Sequence, residues 1–192
     1  MKTMFISTYD NLITIGLLEK AKLIDIKEHI SSRSHSEYLM PLINQVLEDN
    51  NLKARDLTEI IVVNGPGSFT GVRLGVTISK TLAYTLDIPL KTINTIEALA
   101  VSDEVLSKKI ISVSDPKGRY YGIFENNQLI SEISYLSEDL FSVFLEENPE
   151  LILIDKISLN LEVIYDYLKN QPSVNPHLVK PVYVKQIEVQ NG

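Results

Sequence analysis

Residues 60–75 run Ile-Ile-Val-Val-Asn-Gly-Pro-Gly-Ser-Phe-Thr-Gly-Val-Arg-Leu-Gly, and their types and spacing suit anion chemistry. A β-branched run enters a glycine-rich turn, and a helical pattern leaves it at Ser68. That order aims backbone N–H groups from an electropositive helix start at a negative ligand. The spacing matches neither common phosphate loop. Gly65, Gly67 and Gly71 give GxGxxxG in place of GxGxxG, and no Gly-Lys-Ser/Thr follows. Two readings stand: a phosphate-type loop over Gly65, Pro66, Gly67, Ser68, Phe69, Thr70, Gly71 and Arg73, or a close-packed strand-to-helix turn.

The helix that leaves the turn carries a second pattern. Ser68 suits an N-cap, and the helix can run to about Leu86 before Pro89 forbids continuation. Gly71, Gly75, Ser79 and Ala83 recur at i, i+4 and line one side with small groups. Each interior glycine costs about 1 kcal/mol against alanine, tolerated where another backbone approaches closely. The approaching element is either this chain's own sheet and first helix or a helix of another protein. If the stripe faces outward, leucine at 75 blocks that partner and spares the fold.

Other reactive groups are sparse. There is no cysteine, so disulfide and thiolate chemistry are absent. Ser68 lacks the GxSxG elbow of a serine hydrolase. Of the histidines, His29 lies in a strand-like run, His177 in a proline-rich tail, and His35 at a helix start. Glu97 reads as a dipole-favoured surface residue at a helix start. Asp115-Pro116-Lys117-Gly118 is a good turn between strands and is expected at an interlobe cleft. A net charge of −7, with no basic run longer than Lys108-Lys109, argues against direct phosphate-backbone binding as the main task. No apolar run approaches the roughly 20 residues of a membrane span, and a cytoplasmic location is expected.

The elements that position these groups repeat in order. Residues 3–8, 12–18 and 22–30 read as strands, followed by a helix whose Ser34-His35-Ser36-Glu37 has capping-box spacing. Pro41 should kink that helix or free one carbonyl. Strand 60–64, the small-faced helix, strand 88–93 and a helix from Thr95 to about Leu106 follow. In the second half, 110–114, 119–124 and 128–135 read as strands. A helix over 137–147, a buried strand over 151–155 and a helix over 159–169 complete it. Both halves are approximately βββαβα, so an α/β protein of two lobes is expected, 1–105 and 106–192, with the boundary near 102–109. The tail after Pro172 is expected to wrap.

Residues 65–75 closely resemble the glycine-rich segment of the TsaB (YeaZ) family, and the duplicated order matches its two-lobed actin-like (ASKHA, ribonuclease-H-like) fold. Weaker similarities extend along the chain. Asp115 to Tyr121 resembles the family's Asp-Ala-Arg-Arg-Gly-x-x-Tyr, and Pro181-Val182-Tyr183-Val184-Lys185 its Pro-x-Tyr-x-Arg. Two departures carry meaning. Phe5-Ile6-Ser7-Thr8 stands where the family has Ile-Asp-Thr-Ser, so Ser7 replaces the Asp that orders a metal in actin-like folds. Thr95 and Leu99 occupy the positions of the metal-binding His-x-x-x-His of the related catalytic subunit, TsaD. The resemblance implies a non-catalytic subunit, a pseudoenzyme that binds no cofactor alone. It would pair with a TsaD-like chain through His35, Tyr38, Pro41, Gly71, Gly75, Ser79 and Ala83. That partner would transfer threonylcarbamoyl to adenosine 37 of tRNAs reading codons that begin with A. It also implies a TsaE-like ATPase in the complex, a TsaC-like synthase upstream, ATP and metal on the partners, and tRNA held mainly by the complex. A homodimer in isolation is expected through the same helix face. The alternative is a stand-alone actin-like ATPase or kinase using residues 65–73 for phosphate.

Overall fold

A computed structural model of the 192-residue chain describes residues 1–31 and 35–184. The first sheet holds β1 (Lys2–Ser7), β2 (Leu12–Glu19), β3 (Lys22–Ile30), β4 (Glu59–Val63) and β5 (Leu90–Ile93) in the order β3-β2-β1-β4-β5. β1, β2 and β3 form an antiparallel meander, whereas β4 lies parallel to β1 and β5 parallel to β4. Parallel neighbours need crossovers, supplied by α1 (His35–Asp49) and α2 (Phe69–Leu86). α1 buries Leu39, Ile43, Val46 and Leu47, the apolar stripe of its sequence, against Met4, Ile6, Ile60 and Val62. The helix is continuous through Pro41, which sits on its exposed side. Ser34, the capping position read from sequence, and Lys185 of the C-terminal motif lie outside the described residues.

α2 starts as its sequence dictates, with the Ser68 hydroxyl accepting from the Gly71 N–H at 3.2 Å. Asp87 in the left-handed region (φ 53°) and Pro89 end it. The opposite sheet face, Phe5, Leu18, Ile61, Val63 and Ile93, is covered by α3 (Thr95–Ser102) and α5 (Leu161–Leu168). α3 stops at Ser102, short of the expected Leu106, because Asp103 turns extended.

The second sheet comprises β6 (Lys109–Asp115), β7 (Gly118–Glu125), β8 (Gln128–Leu129), β9 (Ser134–Ser137) and β10 (Ile152–Ile154), in the order β10-β6-β7-β8 with β9 also on β7. The single strand expected over 128–135 is split. Ile130 N–H turns back to the Ile123 carbonyl, and Ser131 Oγ takes the Ile123 N–H that a ladder partner would use. β10 was expected to be buried, but it is an edge strand with Ile152 and Leu153 exposed. α4 (Glu138–Glu147) is capped by Ser137 and buries Phe141. Strands therefore change sheet between β5 and β6, whereas α5 and the tail return to the first sheet. The tail does wrap: Val182 N–H bonds the Asn64 carbonyl, and Lys80 Nζ holds the Val179 carbonyl at 2.8 Å. Among the described residues no helix is long and apolar enough to cross a membrane.

Candidate functional site

A cleft of about 460 Å³ opens between the two sheets. One wall is the β1–β2 turn (Tyr9, Asp10, Asn11) with His35 and the loop residues Gly67 and Ser68; the other is Ser112 to Pro116 with Asp155. The Asp115 turn thus lies at the cleft, its Oδ1 accepting from the Lys117 N–H and the Tyr135 hydroxyl. Arg119 joins Glu138 and Asp155 across this wall at 3.0 and 3.3 Å.

The glycine loop is occupied by the chain itself. Gly67, at φ +156°, lies so close to Tyr9 that a Cβ would sit 2.2 Å from the Tyr9 carbonyl oxygen. A Cβ on Gly71 would meet the Thr8 carbonyl oxygen at 2.2 Å, and one on Gly75 the Thr8 hydroxyl at 2.3 Å. Ser68 N–H donates to the Tyr9 carbonyl at 2.6 Å, and the Thr8 hydroxyl donates to the Gly71 carbonyl at 2.8 Å. These glycines admit the turn after β1, whose Tyr9 carbonyl takes the Ser68 N–H at the start of α2. Of the loop residues expected to form the phosphate site, only Gly67 and Ser68 line the cleft. Arg73 lies on the outer surface with its guanidinium 5.1 Å from the centre of the Phe69 ring.

The same geometry corrects the expected partner stripe. Gly71, Gly75, Ser79 and Ala83 are all buried within this chain, Ser79 at 0% exposure. They face the chain's own first sheet and β1–β2 turn, which fill the space beside them. His35 is buried too, its Nε2–H donating to the Asp10 carbonyl at 2.7 Å and pinning the start of α1 to that turn. Of the seven expected interface residues, Tyr38 and Pro41 are exposed. Tyr38 stacks on His29 with ring centres 3.9 Å apart. The exposed side of α2 instead carries Phe69, Thr70, Arg73, Thr77, Thr81 and Tyr84.

Thr8, Tyr9 and Asp10 were missed by sequence reasoning. The available signal was the glycine pair at i, i+4, which demands a close backbone, beside a strand that neighbours β4 in the sheet. Burial pushes the Tyr9 hydroxyl well above its ordinary range, with Asp10 adding to it, and burial raises the Asp10 carboxyl. Ser7 is buried, its Oγ without a hydrogen-bond partner among the described residues. Thr95 and Leu99 are core residues. No cluster of three His, Asp or Glu suited to a metal occurs among the described residues.

Glu97 is not a surface residue. Asn94 caps α3 by accepting from the Glu97 N–H at 2.8 Å and donates back to the Glu97 carboxylate. Burial raises its carboxyl above 4.5, against lowering contacts from Asn94 and Tyr167. The native state therefore holds that proton more tightly than the unfolded chain, and stability falls as pH rises through and above 4.5 toward the folded pKa. Glu97→Gln should flatten this slope. Urea titrations of both chains from acid to neutral pH check it; parallel curves would refute the assignment.

Two five-stranded sheets, the first built on β1-β2-β3 with α1, β4 and α2, and a cleft between them define a two-lobed α/β protein of the actin-like type. Comparison with known proteins narrows this. A family model described as "TsaD: tRNA N6-adenosine threonylcarbamoyltransferase" matches residues 26–116. The "tRNA threonylcarbamoyladenosine biosynthesis protein TsaB" of Bacillus subtilis (strain 168) is 33% identical over 178 residues, covering 88% of this chain and 77% of that protein. The Haemophilus influenzae protein of the same name is 30% identical over 95 residues, covering 50% of this chain and 40% of its own length. The solved structure of YeaZ from Pseudomonas aeruginosa superposes with a TM-score of 0.76 at 15% identity, covering 95% of this chain and 100% of that one. The chain belongs to the TsaB (YeaZ) family.

Proposed function

We propose that this chain is a non-catalytic subunit in the biosynthesis of threonylcarbamoyladenosine in tRNA. Its task is to pair with and support a TsaD-like chain that carries the metal and performs the transfer. The observation that carries the proposal is the match along 88% of the chain to a protein named for that biosynthesis. The residues support the non-catalytic part. Ser7, Thr95 and Leu99 are buried where family and subunit patterns place metal-ordering Asp and His, and a hydroxyl supplies no anionic charge for a hard cation. Against a stand-alone nucleotide enzyme stands the occupation of the glycine loop by Thr8 and Tyr9.

The docking face is the exposed side of α1 and α2, with Tyr38, Met40 and Pro41 on the first, and Thr77, Thr81 and Tyr84 on the second. Short Thr side chains there let a partner helix approach closely while the buried glycines hold α2 on its own sheet. The TsaE-like ATPase and tRNA would join through the assembled complex. Co-expression with the same organism's TsaD-like chain, followed by size-exclusion chromatography, should give a stable one-to-one complex. Thr77→Arg should abolish it while leaving the thermal melt of the free chain unchanged. Robust ATP turnover by the purified chain alone, with no association, would overturn the proposal.

A further inference from the structure

We infer that the seam between α2 and the C-terminal tail is a track for single-stranded RNA on this chain's own surface. Each end of the seam is a pair of rings. At the start of α2, Phe69 and Tyr183 lie with centres 5.4 Å apart and are 50% and 53% exposed. Near its end, Tyr84 meets His177 edge to face at 4.7 Å, and both are exposed. Between the pairs, Lys80 Nζ donates to the His177 and Val179 carbonyls, and Val182 N–H to the Asn64 carbonyl, which fixes the tail along the helix. Exposed aromatic groups gathered in this way mark a surface of contact.

Charge decides what the rings receive. Residues 60–86 and 167–184, which hold both banks of the seam, contain no Asp or Glu, although the chain has 25. Arg73, Lys80 and Lys180 stand among them, so a protein of net charge −7 is cationic here. The Arg73 guanidinium lies 5.1 Å from the centre of the Phe69 ring. Arg73 and Lys180 are exposed, and neither has an ion-pair partner among the described residues. Open rings beside unpaired cations suit a polynucleotide strand, whose bases stack on the rings while its phosphates meet the cations. An acidic protein segment would satisfy the cations and leave the rings without a flat partner. A duplex keeps its bases stacked on one another and offers the rings nothing.

The spacing of the ring pairs sets a length. Phe69 and Tyr84 are fifteen residues apart on one helix, about 22 Å along its axis. At about 3.4 Å per stacked nucleotide, a strand of roughly six joins the two pairs. The choice of RNA over DNA rests on the proposed role in tRNA modification, whereas the track rests on the seam itself. It adjoins the α1–α2 docking face, with Tyr84 at their border, and needs no partner chain to be complete.

Fluorescence anisotropy of a labelled uridine decamer, titrated with the purified full chain, should show saturable binding that weakens as salt rises. A uridine trimer, too short to join the ring pairs, and the decamer annealed to its adenosine complement should each bind about 10-fold more weakly. Phe69→Leu keeps an apolar side chain but removes the stacking face, and should weaken decamer binding about 10-fold with an unchanged melt. Phe69→Trp should retain it. Arg73→Glu should weaken it at least as much, and Lys117→Glu, in the β6–β7 turn, should leave it unchanged. No decamer binding at low salt, equal binding of the duplex, or wild-type binding by Phe69→Leu overturns the inference. So does tighter binding of a thymidine decamer or of a poly-glutamate peptide. Pairing with a TsaD-like chain is scored by size exclusion without RNA, so either reading can fail alone.

Discussion

Gly71→Ala should cripple folding although it adds a single methyl group to a helix. In an exposed helix the same change is stabilising by about 1 kcal/mol, because alanine is the better helix former. Here the new Cβ would sit 2.2 Å from the Thr8 carbonyl oxygen, and that atom belongs to backbone. Relief requires moving either α2 or the turn after β1. The turn is held by Ser68 N–H to the Tyr9 carbonyl, the Thr8 hydroxyl to the Gly71 carbonyl, and His35 to the Asp10 carbonyl. Overpacking costs about 1–3 kcal/mol where neighbours can give, and more where they are backbone, so a loss of about 3 kcal/mol or greater is expected. Against a total of about 5–15 kcal/mol this is a large share. Gly75→Leu should be at least as damaging, since its Cβ would already lie 2.3 Å from the buried Thr8 hydroxyl. Thr77→Ala, on the opposite side of α2, should stay within about 0.5 kcal/mol. Urea melts followed by circular dichroism rank the three. A Gly75→Leu chain with wild-type stability would show that the stripe faces outward after all.

That prediction also marks where sequence reading reached its limit. The strand-turn-helix at 60–86 was legible because its signals are local: a β-branched run, a capping serine, a terminating Pro89. So was the need for a close approach at Gly71 and Gly75. Which backbone approaches is a tertiary fact, since Thr8 lies more than sixty positions upstream and meets α2 only because β1 and β4 pair in parallel. Glycine spacing reports the gap and not its occupant, so an internal contact was read as an external one. Glu97 fails for a related reason: the helix dipole explains its position, but its half-burial is a tertiary fact, as is the Tyr167 hydroxyl that reaches its carboxylate from α5. The break between β8 and β9 was invisible because it rests on one hydroxyl, that of Ser131, displacing a ladder bond.

Lys109→Met should be the most damaging change on the second sheet. Lys109 opens β6, and its side chain is 0% exposed. Its Nζ donates to the Ala100 carbonyl at 3.2 Å, to Asp103 Oδ2 at 2.7 Å and to Asn127 Oδ1 at 2.8 Å. Those acceptors come from α3, from the segment that crosses between the sheets, and from the β7–β8 turn. That turn is set by Asn126 and Asn127, both at positive φ, which suits the twist of a two-residue hairpin. One ammonium group therefore ties the crossing to the helix before it and the hairpin beyond it. Methionine keeps most of the volume and removes the charge, leaving the Asp103 carboxylate largely buried without its cation. Breaking such a pair by removing one partner costs about 3–5 kcal/mol, most of it the stranded charge. The test follows from that origin. Adding Asp103→Asn to Lys109→Met should recover part of the loss, whereas the same substitution in the wild-type chain should destabilise it. A coupling of about 0.5–3 kcal/mol in the double-mutant cycle is expected. Hydrogen exchange in the single variant should rise first in β7 and β8 while β1 and β4 stay protected. Uniform loss of protection would mean that the two sheets unfold as one cooperative unit and that Lys109 stabilises both alike.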